Sequence, residues 1–137
     1  TSGVTAAMQA KDGAITYSDL ANVAADSLDS ALLQNAAGNY PAPSPGSILA
    51  ADKVGTTRPD GTVSLVNPPA SAASAYPVAS YTYVIVPETS SKASTLKAFL
   101  TYAISSTGQA FGPPLGYPVL PSAIVTADTA EIAQIHS

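Results

Sequence analysis

The chain contains no cysteine and no tryptophan. Without cysteine there can be no disulfide, thiolate nucleophile or Cys-based zinc site. Charge is almost as scarce. Only 10% of the residues are charged, against about a quarter in an average soluble protein. Five basic residues and a net charge of −4 exclude the clustered Lys and Arg that a nucleic-acid footprint needs, so no nucleic-acid partner is expected. The same shortage excludes a basic membrane-binding patch. No apolar run approaches the roughly 18–20 residues that span a bilayer. Nor does Thr1-Ser2-Gly3 resemble the charged start of a signal peptide, so any such segment is expected outside this chain.

What fills the space is alanine, serine, threonine and twelve prolines, with hydrophobic residues at 46% of the 137. That length suits one domain with its own core, and residues 1–137 are read as such. Residues 4–10 read as a short helix with Ser2 as its cap, and Gly13 leads a compact strand at 14–17. Ser18 is placed to cap a helical turn at 19–25. Residues 30–37 carry helix-forming alanine and leucine, but they are short and end in Gly38-Asn39. Prolines 41, 43 and 45 stiffen a connector, and a helix is expected over 47–54.

Arg58-Pro59-Asp60-Gly61 is a strong turn signal ahead of a short strand within 62–66. A proline-bounded strand is predicted over 78–86, ending in Val84-Ile85-Val86 before Pro87. The clearest helix spans 92–105, where Leu96, Phe99, Leu100 and Ala103 form an apolar stripe. A short turn follows at 107–111, and a final helix at 122–135 carries Ile124, Val125, Ala127 and Ile132. Strands alternating with helices indicate an α/β layered domain, a mixed sheet flanked by helices.

The chemistry-bearing residues are sparse. His136 is the only histidine and stands beside a terminus expected to fray, with no Gly-x-Ser-x-Gly elbow to serve. The nine carboxylates are scattered, without the spacing of a calcium loop or a set that suggests hydrolysis. No cofactor or metal is expected, and no enzymatic activity. Tyr81 and Tyr83 share a strand face and suit cross-strand packing better than a ligand platform. Thr1, Ser2 and Gly3, opening a helix, are the candidate ligand-binding residues, since hydroxyls and free N–H groups there favour an anion. The competing reading is an ordinary helix cap.

Five motifs in order give the chain a resemblance. They are Gly13-Ala-Ile-Thr-Tyr17, Gly38-Asn-Tyr-Pro-Ala-Pro-Ser44, Tyr76-Pro-Val-Ala-Ser-Tyr-Thr-Tyr-Val-Ile-Val86, Thr107-Gly-Gln109 and Leu115-Gly-Tyr-Pro-Val-Leu-Pro121. Their order resembles the C-terminal half of the phosphate-binding proteins of phosphate ABC transporters. That resemblance implies a partial type II periplasmic-binding-protein fold, with residues 30–37 as a strand. It implies a periplasmic or extracellular solute-binding module that takes inorganic phosphate and works beside an ABC permease.

One departure stands out. The family's Arg-x-Asp-Gly-Ser-Gly-Thr anion cradle does not occur here. Arg58-Pro59-Asp60-Gly61-Thr62 is only superficially similar, because Pro59 removes a donor and strand-like residues follow. The module is therefore expected to be incomplete for ligand binding alone. A ligand-free structural or protein-interaction domain on the same scaffold is the alternative. An apolar face left by the missing half predicts pairing with another copy, with a second chain or with an absent part of the same precursor, with Tyr81 or Tyr83 and the Gly112-Pro113-Pro114 turn at its edge.

Overall fold

A computed structural model describes residues 2–137. Its contacts fall into two compact units, one formed by residues 1–81 and 115–117, the other by 82–114 and 118–137. Helices dominate, and among the described residues the sheet is a single two-stranded antiparallel ladder, a loosely α/β composition.

In the first unit, helix α1 spans Ser2–Gln9 and helix α2 Leu20–Ala25. Ser2 lies inside α1 and does not cap it from outside; its carbonyl accepts from the Thr5 hydroxyl at 2.9 Å, and Thr5 is buried. The cap of α2 is Asp19, not Ser18. The Asp19 carboxylate accepts from the Asn22 backbone N–H at 2.9 Å and from its side-chain amide at 2.7 Å, a two-oxygen grip that serine cannot make.

Helix α3, Pro45–Asp52, begins two residues before the expected start. Ser44 and Ser47 form a capping box in which each side chain satisfies the other's backbone N–H, and Pro45 supplies a preset first-turn φ. Strands β1 (Thr56–Thr57) and β2 (Val63–Ser64) then pair with Thr56 opposite Ser64. The turn joining them is the predicted one, and Gly61 closes it at φ +80°. The core of this unit is Ala51, Leu65, Ala75 and Ala79, with Ile48, Val63 and Tyr81 packed against it. Such small side chains bury little apolar area each, so hydrogen bonds must fix the loops over this core.

In the second unit, helix α4 is Ala93–Ile104, α5 is Ser106–Gln109, a 3-10 turn covers Pro113–Leu115 at the edge, and α6 is Ser122–Gln134. Leu100 and Ala93 of α4 meet Ile135, with Val86 and Ile132 alongside. Most of both stripes is covered as expected: Leu100 is buried and Leu96, Ala103, Ile124, Val125 and Ile132 are half-buried, whereas Phe99 is 62% exposed and Ala127 is exposed. A short helix pair has too little surface to cover every apolar residue of a wide stripe, so its margins stay exposed.

The three expected strands at 14–17, 30–37 and 78–86 join no sheet among the described residues. For 30–37 the cause is local. The Asn35 backbone N–H donates to the Asn39 carbonyl at 2.8 Å, and its side-chain oxygen accepts from the N–H groups of Ala37 and Asn39, both at 3.1 Å. Those donors are then spent on a turn and lost to a ladder. For 14–17 and 78–86 the strand-forming residues are present but enter no ladder, with Ile15 and Ile85 each 94% exposed. A mixed, helix-flanked sheet is therefore not formed by these residues among themselves.

Candidate functional site

Of the three candidate ligand-binding residues, Thr1 lies outside the described residues. Ser2 and Gly3 are exposed on the first turn of α1, and a side chain built at Gly3 would meet nothing within 4 Å. The two are thus adjacent at a helix start, and no side chain converges on Gly3.

The Arg58–Thr62 segment is a self-contained solvated turn. Arg58 N–H donates to the Thr62 carbonyl at 2.7 Å, and Gly61 N–H to the Arg58 carbonyl at 3.0 Å. The Asp60 carboxylate accepts from both the hydroxyl and the N–H of Thr62, at 2.7 and 3.0 Å. Those two bonds, the hydroxyl's first, hold the Asp60 pKa below the ordinary carboxylate value, with a smaller contribution from the Arg58 charge. The Arg58, Gly61 and Thr62 N–H groups are thereby used within the turn, and Pro59 has none to offer.

Beside this turn lies an open cavity of 270 Å³. Ala51, Val54, Leu65 and Pro68 supply its apolar lining, and Thr56, Arg58, Ser64 and Asn67 its polar one. Asn67 takes φ +52°, a left-handed setting that asparagine tolerates. Close to the same helix, the Tyr81 hydroxyl donates to the Asp52 carboxylate. Tyr81 is therefore a packing residue with its polar tip satisfied, as the cross-strand reading expected of its role if not of its partner.

His136 is fixed, contrary to the expected fraying. Its N–H donates to the Glu88 carbonyl at 2.6 Å, and its carbonyl accepts from Ser90 N–H at 2.8 Å. The ring Nδ1 lies 2.9 Å from the Gln134 carbonyl and so carries the proton, leaving Nε2 to accept from the Thr89 hydroxyl at 3.1 Å. Both ring nitrogens are engaged in tying the chain end to residues 88–90. Among the described residues no group of three His, Asp or Glu side chains is placed to hold a metal ion.

The remaining motifs have structural roles. Gly108 of Thr107-Gly108-Gln109 faces backbone so closely that a Cβ would sit 2.2 Å from the Tyr102 carbonyl oxygen. Gln109 bridges two segments, donating to the Ala103 carbonyl and accepting from Leu120 N–H, both at 2.9 Å. In the Leu115-Gly-Tyr corner, Gly116 at φ +85° packs against Leu20, and the Tyr117 hydroxyl bonds Asp19. Burial raises the Tyr117 pKa, and the Asp19 charge adds to it.

Sequence reasoning missed Asn35, whose side chain makes four hydrogen bonds among the described residues. An asparagine three residues before a Gly-Asn turn is the signal that marks it. Among the described residues no helix is long and apolar enough to cross a membrane. Compared with models of known protein families and with curated proteins, the chain matches none.

Proposed function

We propose that this chain is part of an extracytoplasmic, non-catalytic binding protein of the phosphate-uptake type, incomplete for ligand capture on its own. The observation that carries the reading is where the motif glycines stand. Gly13, Gly38 and Gly116, from three of the ordered motifs, have φ of +72°, +81° and +85°. An L side chain rarely adopts that region, so these positions answer to a backbone path and not to composition. Gly108, in a fourth motif, is required by close approach.

Under this reading the strand-forming runs at 14–17, 30–37 and 78–86 belong to a layered type II periplasmic-binding fold completed by residues beyond this chain. The oxyanion cradle comes with that part, and two lobes close on phosphate like a hinge before the solute passes to an ABC permease. Thr1, Ser2 and Gly3 would add helix N-terminal N–H groups and hydroxyls to the anion.

A second reading keeps the scaffold as a structural or protein-interaction domain without ligand. It is favoured by the exposure of Ser2 and Gly3 and by the single basic residue, Arg58, at the cavity. Calorimetric titration with inorganic phosphate separates the two. The first requires no heat from the 137-residue chain and micromolar or tighter binding by the full gene product. No heat from the full product would leave the second reading standing alone.

A further inference from the structure

We propose that the open cavity between the end of α3 and the β1–β2 hairpin binds a small monocarboxylate with a short apolar tail, the carboxylate held by Arg58 and Asn67. The proposal does not rest on the phosphate-type reading. The cavity has an apolar floor and a polar rim. Ala51, Leu65 and Pro68 of its lining are buried, whereas Thr56, Arg58 and Asn67 are exposed and Ser64 is half-buried. At 270 Å³ it lies just below the roughly 300–1,000 Å³ of pockets that take drug-sized molecules, which limits the occupant to a handful of heavy atoms.

The rim selects the charge of that occupant. Arg58 is the only charged residue of the lining, and its guanidinium reaches the Thr62 hydroxyl alone, at 3.5 Å. Most of its donor fork is left over, and such a fork with one positive charge matches one planar carboxylate. The neighbouring Asp60 carboxylate is turned to the Thr62 N–H and hydroxyl instead. The side chains of Asn67, Thr56 and Ser64 make no hydrogen bond among the described residues, so they can complete the shell around a carboxylate. Asn67 is also held in place. Its backbone takes φ +52°, its N–H donates to the Pro77 carbonyl at 3.0 Å, and Pro68 and Pro69 follow, so presenting its amide costs little entropy. The floor selects the tail. Buried Ala51, Leu65 and Pro68 offer a short alkyl group an apolar surface, while a phosphate dianion on one guanidinium would leave oxygens facing that floor unpaired.

The test is titration of the 137-residue chain with sodium butyrate at neutral pH and constant ionic strength, read by backbone amide shifts. Acetate, butyramide and inorganic phosphate serve as comparison probes. Saturable shifts at the Thr56, Leu65 and Asn67 amides are expected at millimolar butyrate. Butyrate should bind roughly tenfold more tightly than butyramide, which lacks the charge, and more tightly than acetate, which lacks the tail. Arg58→Gln should erase the preference for butyrate over butyramide. Asn67→Gly removes the amide, tolerates the positive φ and should weaken butyrate severalfold. Both positions are exposed, so the two variants should keep the parent's circular dichroism. The proposal is overturned if no shift saturates below about 100 mM butyrate. It is overturned equally if butyramide, acetate or phosphate binds as well as butyrate, or if butyrate affinity is unaltered in both Arg58→Gln and Asn67→Gly.

Discussion

Asn35 reaches across forty residues of sequence to Ala75: its side-chain amide donates to the Ala75 carbonyl at 3.1 Å and to the Ala73 carbonyl at 2.9 Å. The same side chain's oxygen accepts from Ala37 and Asn39, so both ends of the amide are satisfied in a buried position. One residue thus closes its own turn and pins a distant, proline-flanked loop over the alanine core. In a unit whose apolar core is mostly alanine, this polar tie replaces the grip that larger apolar residues would give.

Asn35→Ala should therefore be costly for a substitution that removes so few atoms. It strands the buried Ala75 carbonyl and removes the acceptor for the Ala37 and Asn39 N–H groups, while the Ala73 carbonyl keeps the Asn39 amide at 3.1 Å; a buried group left unpaired costs about 1–3 kcal/mol. We expect a loss of that size in urea unfolding at unchanged slope. Asn35→Asp keeps the acceptor but turns the donor end into a carboxylate facing two carbonyls, and should be at least as damaging.

Gly108→Ala tests the closest backbone approach in the second unit. The added Cβ would meet the Tyr102 carbonyl oxygen at 2.2 Å and the Ala103 carbonyl oxygen at 2.9 Å, neither of which is a flexible side-chain end. The α4–α5 junction must shift, and overpacking of this kind costs about 1–3 kcal/mol. A melting temperature within error of the parent would show that the junction is not rigid.

How much of this was legible in the sequence depends on how local each determinant is. The Arg58–Gly61 hairpin turn and the helices α4 and α6 follow from turn chemistry and a 3.6-residue period, and they appear within a residue or two of their expected bounds. Their buried faces follow in large part too, with Phe99 and Ala127 the exceptions. Phe99 fits the stripe as well as Leu96 does, and the sequence period does not tell which margin of the stripe stays exposed. Strand pairing is the least local property, and residues 14–17 and 78–86 have the composition of strands yet join no sheet among the described residues. For the candidate site, the hairpin turn at Arg58 was readable as a solvated turn because Pro59 and Asp60 announce it. The Asn35 tie was not, because its acceptors lie about forty residues away.

Asp60 should make the hairpin sensitive to acid. Its folded-state pKa is lowered, chiefly by the Thr62 hydroxyl and N–H, so its contribution is present above the ordinary carboxylate pKa of about 4 and is lost as pH falls through the lower folded value. The Thr62 amide resonance should titrate in that acid window and nowhere else. In Asp60→Asn the acid dependence should vanish. Titration of the Thr62 amide that persists in this variant would show that another group is responsible.

Asp128 carries the opposite sign. Burial on α6 raises its pKa, and the Glu131 charge one turn away adds to the rise. A carboxylate with a raised folded pKa stabilises the fold less as pH climbs from the unfolded pKa through the folded one, so at neutral pH the ionised Asp128 works against the helix. Solvent still reaches this residue, so the expected effect is modest and is screened further by salt. Asp128→Asn removes the like-charge pair and should stabilise the chain at pH 7 by about 0.2–0.5 kcal/mol, the usual size for such a helix pair. The gain should shrink as pH is lowered through the raised pKa, because the parent then becomes neutral at the same position. Paired urea titrations of parent and variant at neutral and acid pH read this directly, and a gain independent of pH would assign it to helix propensity instead of charge.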